Sequence, residues 1–266
     1  MATRSLSTFK VCFNRSSVNY LLRTIHRVTL LATICVNSPL RAQEQPRRDI
    51  FDSRSSIPPA VTSYKGRRVA MTMHYRGAEW LIRNEREREE RCSLMLANLG
   101  VKPGMTVCDM GCGNGFYALQ LAKMVGPQGQ VLGVDIQPEM LKLLRDRMEQ
   151  KSVNNITPIL GSLHDPRLPR GQVDMVLLVD VYHEFSHPEQ MLKAIRESLK
   201  PTGVVALLEY RSEDPKVPIK LLHKMSKKQI MKEFPPNGFK LVKEYDKLPW
   251  QHMMFFGRDE AYQPAP

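Results

Sequence analysis

The stretch from Met105 to Val125 constrains this chain more than any other. An apolar run, Met105–Met110, enters a turn containing Gly111, Gly113 and Gly115, and a helical pattern follows from Phe116 to Val125, closed by Gly126 and Pro127. Strand, glycine turn and helix in that order leave backbone N–H groups open to a ligand, because glycine carries no Cβ and adopts positive φ freely. Two acids sharpen the pattern. Asp109 stands just before the turn, and Asp135 ends the next apolar run, Val131–Val134, 24 residues past Gly111. An acid at the end of the second strand is placed to accept hydrogen bonds from ribose hydroxyls. The turn reads G-x-G-x-G, whereas dinucleotide-binding turns read G-x-G-x-x-G. A carboxylate at Asp109 repels a pyrophosphate and suits a cationic ligand, so charge and spacing agree.

The remaining chain repeats the alternation. Glu85–Leu99 reads as one helix ended by Gly100, and its charge run from Glu85 to Arg91 reads as a solvated face. Pro138 opens a helix after Asp135, Ile156–Leu160 is a third strand, and Val173–Val179 has the unbroken apolar pattern of a strand buried on both faces. Pro188 opens a further helix to about Leu199. A turn at Lys200-Pro201-Thr202-Gly203 leads to a fifth strand, Val204–Glu209, and Phe239–Tyr245 and His252–Phe256 read as an antiparallel edge pair. Alternating strands and helices with short turns predict an α/β doubly wound sheet of about seven strands, with helices on both faces.

Residues 105–210 resemble a class I S-adenosylmethionine (SAM)-dependent methyltransferase, similar to the C-methyltransferases of ubiquinone and menaquinone biosynthesis and the type 11-like group. The resemblance implies a Rossmann-like fold with SAM as cofactor. It implies that Asp109, Gly111, Gly113 and Gly115 line the methionine portion, that Asp135 binds the ribose, and that Ile136 packs on adenine. Ser162 occupies the position that usually offers an aspartate to the adenine amino group, so Ser162 and the Leu163 backbone would take that contact. Asp180 would face the cofactor at the end of the fourth strand.

The segment Asp180–Phe185 follows that strand, at the edge that overlies the ligand crevice in open α/β sheets. The resemblance puts it beside the transferable methyl. Methyl transfer is an in-line displacement in which positioning supplies much of the acceleration, and a base is needed only where the acceptor must lose a proton. His183, then Tyr182 and Glu184, are the candidate catalytic residues, and a plain pocket-wall role for His183 and Tyr182 stands beside that reading. His183-Glu184-Phe185-Ser186-His187 also matches H-E-x-x-H. That zinc motif needs both histidines on one helical face, whereas here one follows a strand and the other directly precedes Pro188. No residue is assigned to a metal. Tyr75, Arg76 and Trp80, ahead of the first helix, and the Asp214–Met225 loop, with Lys216, Lys220 and His223, are expected on the acceptor side.

Charge divides the chain. Residues 1–70 hold 12 Lys and Arg against 3 Asp and Glu, while the other 196 residues hold 27 against 24. The near-neutral body argues against a nucleic-acid partner, and a small-molecule acceptor is expected. Residues 1–64 read as a basic leader and linker, 65–104 as an N-terminal helical lid, and 105–260 as the SAM-binding domain. Three readings of the acid-free leader stand: a secretory signal, an organellar transit peptide, or a start codon assigned upstream of Met71 or Met73. SAM is made in the cytosol, which favours a cytoplasmic enzyme and conflicts with export. No apolar run reaches membrane-spanning length. Five cysteines, Cys12, Cys35, Cys92, Cys108 and Cys112, show no zinc spacing and no disulfide framework. Rival functions are a non-catalytic SAM- or nucleotide-binding protein and an RNA or protein methyltransferase.

Overall fold

The computed structural model describes residues 57–263; the leader and most of the linker lie outside the described residues. A short hairpin, β1 (Ser63–Tyr64) and β2 (Arg67–Arg68), precedes a 3-10 helix at Tyr75–Ile82 and two short helices, α1 (Arg86–Glu90) and α2 (Cys92–Leu99). Then come β3 (Thr106–Met110), α3 (Phe116–Val125), β4 (Gln130–Asp135), α4 (Pro138–Gln150), β5 (Ile156–Leu160) and β6 (Val173–Val179). The chain continues through α5 (Pro188–Ser198), β7 (Leu199–Arg211), β8 (Lys224–Met225), α6 (Lys227–Glu233), β9 (Phe239–Tyr245) and β10 (Gln251–Arg258).

The strands form one sheet in the order β5-β4-β3-β6-β7-β10-β9, with β8 pairing β7. β5, β4, β3, β6 and β7 are parallel, whereas β10 runs antiparallel to both β7 and β9. Strand order reverses between β3 and β6, so the crevice between their C-terminal ends is a topological switch point. Side chains alternate across the sheet. Val107, Val131, Leu177 and Leu208 pack with α2, α3 and α4 on one face, while Cys108, Leu132, Val176 and Leu207 pack with α5 and α6 on the other. Among the described residues, no helix is long and apolar enough to cross a membrane.

Two details differ from the sequence reading. The helix expected over Glu85–Leu99 breaks at Arg91, which takes the left-handed conformation (φ 52°). The break turns part of the charge run inward: Arg86 and Glu90 are buried, so the run is not a solvated face. Glu90 accepts from Arg83 Nη2 at 2.6 Å, Arg86 Nε at 2.7 Å and the Tyr210 hydroxyl at 2.9 Å. The Arg86 guanidinium also lies over the Phe116 and Tyr117 rings, 4.5 and 4.7 Å from their centroids. Second, the turn expected at Lys200–Gly203 is an irregularity inside β7, where pairing jumps from Val173–Leu199 to Met175–Val204. Pro201 has no N–H to donate, which suits a point where the ladder is interrupted. The last two strands form the expected antiparallel pair at the sheet's edge, with β9 outermost.

Residues 58–70, the end of the stretch read as linker and the start of the expected lid, run against the segment after β6. The Val61 N–H donates to the Ser186 carbonyl at 2.9 Å, and the Ala70 N–H to the His183 carbonyl at 3.0 Å.

Candidate active site

The C-terminal ends of β3, β4 and β6 open on a cavity of about 680 Å³, within the roughly 300–1,000 Å³ usual for small-molecule sites. Its floor is the glycine turn. Gly111, Gly113 and Gly115 all have positive φ, at 69°, 53° and 80°. Gly111 and Cys112 both donate to the Val134 carbonyl, at 2.8 and 2.9 Å, tying the turn to β4. A Cβ on Gly111 would stand 2.5 Å from Val181 Cγ2. Valine is branched at Cβ and has little freedom to yield, so Gly111→Ala is expected to lower stability by about 1–3 kcal/mol. A lower urea midpoint at unchanged slope would register that loss, and an unchanged midpoint would contradict it.

Asp135 fastens the same turn. Its Oδ2 accepts from the Gly113 N–H at 2.9 Å and its Oδ1 from the Gln137 N–H at 2.8 Å. Burial raises its pKa against the pull of those hydrogen bonds. Each carboxylate oxygen keeps a second lone pair for a ligand hydroxyl. Ile136, Ser162 and Leu163 line the cavity alongside Asp135. Asp109 and Gly115 do not line it. Gly115 caps α3, and Asp109 sits behind the wall made by Met110 and Gly111, 3% exposed. One Asp109 oxygen takes the Ala118 N–H, while Oδ2 has no partner, and burial pushes the carboxyl up to about 7. Asp180 lines the cavity in the left-handed conformation (φ 52°). Its Oδ2 accepts from Gln251 Nε2 at 2.7 Å and its Oδ1 is unpartnered. Burial, with Glu90 and Glu209 nearby, holds this carboxyl well above the ordinary range.

Tyr182, His183 and Glu184 form one 3-10 turn and face three different surroundings. Tyr182 is not a wall of the cavity. Its ring packs on Phe185 and Phe234, and its hydroxyl donates to Glu233 at 2.7 Å on the α6 side. His183 and Glu184 do line the cavity. His183 Nδ1 is 2.7 Å from Glu209 Oε2 and Nε2 is 3.1 Å from His223 Nδ1. Burial lowers the His183 pKa, but the Glu209 carboxylate outweighs it and the net shift is upward. Glu184 accepts the Met73 N–H at 3.2 Å, and burial pushes its carboxyl up to about 7. His187, the second histidine of the H-E-x-x-H match, instead meets Ser186 and the Pro58 carbonyl.

The other walls come from the flanks of the sheet. Met71–Met73, Trp80 and Leu81 lie on one side, and Pro218, Ile219, Lys220 and His223 on the other. Of the residues expected toward the acceptor, Trp80, Lys220 and His223 reach the cavity, while Tyr75, Arg76 and Lys216 do not. Arg86, Gln137 and Tyr210 also line it. No local pattern marks these three, because the break at Arg91 and the pairing of β7 decide where two of them point. Glu209 carried a readable sign, since it is a charge at the end of the apolar run Val204–Leu208.

Residues 101–257 match the family model described as a methyltransferase domain. The chain belongs to this methyltransferase family. It is a SAM-dependent methyltransferase. A curated relative from Ectopseudomonas mendocina (strain ymp), named ubiquinone/menaquinone biosynthesis C-methyltransferase UbiE, is 29% identical over 182 residues, 66% of this chain and 69% of the relative. The protein of that name from Cupriavidus taiwanensis is 35% identical over 116 residues, 43% of this chain and 47% of the relative. Several of these matches thus span about half the length of the curated relatives. A SAM-dependent methyltransferase structure from Aquifex aeolicus superposes with TM-score 0.66 at 23% identity, covering 70% of this chain and 98% of that one. The fold alone does not fix the reaction, since the structure described as the [4+2]-cyclase SpnF also aligns, with TM-score 0.51 at 18% identity over 58% of this methyltransferase and 57% of that chain.

The residues of this methyltransferase fit its cofactor. Asp180 Oδ1, in the cavity wall, is a buried carboxylate oxygen without a partner among the described residues, which suits a ligand bearing an ammonium or a sulfonium. The backbone of Gly111 and Gly113 borders the same cavity, beside Asp135 and Ile136.

Proposed function

We propose that this enzyme transfers the methyl group of SAM to a small or medium-sized organic acceptor held at the His183–Glu184 end of the cavity. The observation that carries the proposal is continuity: one cavity joins the Asp135 side to the His183–Glu184 side. Asp135, the Gly111–Gly113 backbone and Ile136 hold the cofactor, with Asp109 and Asp180 supplying negative charge behind it. When bound, SAM supplies an electrophilic methyl carbon on a cationic sulfur. Passing that methyl to the acceptor would leave S-adenosylhomocysteine as the second product.

Met71, Met73, Trp80 and Ile219 exclude water and orient the acceptor. His183 keeps its Nδ1 proton on Glu209, so Nε2 is the atom that takes a proton from an acceptor that must lose one. Lys220 at the cavity wall favours an acceptor with an anionic group. The cavity's size and the near-neutral body favour a small molecule over a polymer.

Calorimetric titration tests the cofactor half. The chain is expected to bind SAM and not NAD, and Asp135→Ala to bind SAM at least tenfold more weakly, about 1.4 kcal/mol or more. A folded chain that does not bind SAM, or an Asp135→Ala variant of unchanged affinity, would contradict this placement. A methyl-transfer screen over phenols, enols and carboxylic acids tests the acceptor half.

A further inference from the structure

His183 and Glu184 come from the 3-10 turn after β6, and His223 from a second 3-10 turn, Leu221–His223, forty positions later. Folding brings one donor atom of each within 4.8 Å of the others. All three side chains line the cavity. The two histidine rings stand edge to face, with centroids 5.1 Å apart and planes at 87°.

The histidine pair is built for more than filling space. Glu209 is fully buried and accepts both the His183 backbone N–H, at 3.1 Å, and the ring Nδ1–H, at 2.7 Å. That fixes the tautomer and turns the Nε2 lone pair toward His223. A carboxylate behind one ring nitrogen, with the other nitrogen presented to a cavity, is the recurring support of a metal-ligating histidine. Distance agrees with the pattern. Metal–nitrogen bonds of about 2.0–2.1 Å at a tetrahedral angle put two ligand nitrogens about 3.3 Å apart, and His183 Nε2 and His223 Nδ1 are separated by 3.1 Å.

We propose that His183, Glu184 and His223 form a binding site for one divalent first-row metal ion. Two imidazoles and one carboxylate favour zinc, iron, cobalt or nickel over magnesium or calcium, which prefer all-oxygen sets. With three protein ligands in a cavity wall, at least one coordination position faces the space assigned to the acceptor. The ion's task is to hold the acceptor through an ionisable oxygen, as in a phenol, an enol or an α-hydroxy acid. It lowers the pKa of that oxygen, whose proton leaves to solvent. His183 then serves as ligand rather than base. This task rests on the methyl-transfer reading above, whereas ion binding itself does not.

The rings' separation also suits a shared proton without any metal, and one experiment separates the two. Untagged full-length chain is stripped with a chelator and titrated with Co²⁺, followed by visible absorption, and with Zn²⁺ by calorimetry; SAM affinity is measured on the same samples. The expected result is one ion per chain with ligand-field bands. His223→Ala and Glu184→Gln are expected to lose the bands and to bind at least tenfold more weakly, while His223→Ala keeps its SAM affinity within about twofold, showing that it is folded. A stripped chain that binds SAM but takes up neither ion, or a His223→Ala variant that binds cobalt as the parent does, would overturn the metal site and leave a proton between the rings. Failure to bind SAM would count against the cofactor reading alone, because the metal titration is read separately.

Discussion

Replacing Glu90 with alanine is expected to cost the fold about 3–5 kcal/mol, the usual result of breaking a buried ion pair from one side. Glu90 is fully buried and accepts from two guanidinium groups and a phenol. The substitution leaves Arg86, itself buried, without its ion-pair partner, resting on the Leu81 carbonyl and the faces of two aromatic rings. The exposed pair Lys142–Asp146, 2.8 Å apart on α4, provides the contrast. Asp146→Ala is expected to change stability by no more than about 1 kcal/mol, because water screens the pair in both states. Chemical denaturation of the two variants beside the parent measures the difference, and similar losses at the two sites would contradict the account. Arg86 and Tyr210 also line the cavity, so Glu90→Ala is further expected to weaken SAM binding without touching a cofactor-facing carboxylate.

The second large effect depends on pH. Burial raises the Asp109 carboxyl from an ordinary value of 3.8 to about 7. Below about pH 4 it is protonated whether the chain is folded or unfolded, and pH has no leverage. Between about 4 and 7 the unfolded chain releases its proton first, so stability falls as pH rises. Above about 7 the loss is complete, on the order of 4 kcal/mol at about 1.4 kcal/mol per pKa unit. An asparagine in place of Asp109 would hold the neutral state at every pH, at the cost of placing a buried amide N–H₂. Asp109→Asn is therefore expected to be more stable than the parent by about 1–3 kcal/mol at pH 8, with the gap closing near pH 4. Melting curves across that range test it; a gap that does not move with pH would show that the carboxyl is not the source. SAM, a cation, is expected to narrow the gap at pH 8.

Local rules made most of the parallel sheet legible. Val173–Val179 reads as a doubly buried strand and is one, Pro138 and Pro188 open α4 and α5 where a missing N–H costs nothing, and Gly100 and Gly126 close α2 and α3. The Gly111–Gly115 turn and the place of Asp135 were readable because backbone conformation and strand order fix them. What escaped the sequence depends on contacts between distant segments. Arg86 and Glu90 look like surface charges until Arg91 turns the chain and Tyr210, 120 positions later, meets Glu90. Tyr182 and His183 are adjacent, yet a 3-10 turn sends one side chain toward α6 and the other into the cavity. His223 joins His183 only because β8 returns its segment to β7.

The cavity has two kinds of wall, and they have different histories open to them. The wall proposed for the cofactor is made by strand ends whose neighbours belong to the core, so a substitution there disturbs the sheet. The wall proposed for the acceptor draws, besides His183 and Glu184, on residues 71–73 and 80–81 before the sheet and on Pro218–Lys220 and His223 within a single connection. Those pieces can be lengthened, shortened or exchanged while the parallel strands stay as they are. A scaffold divided in this way lets substrate preference drift in a lineage without loss of the methyl donor.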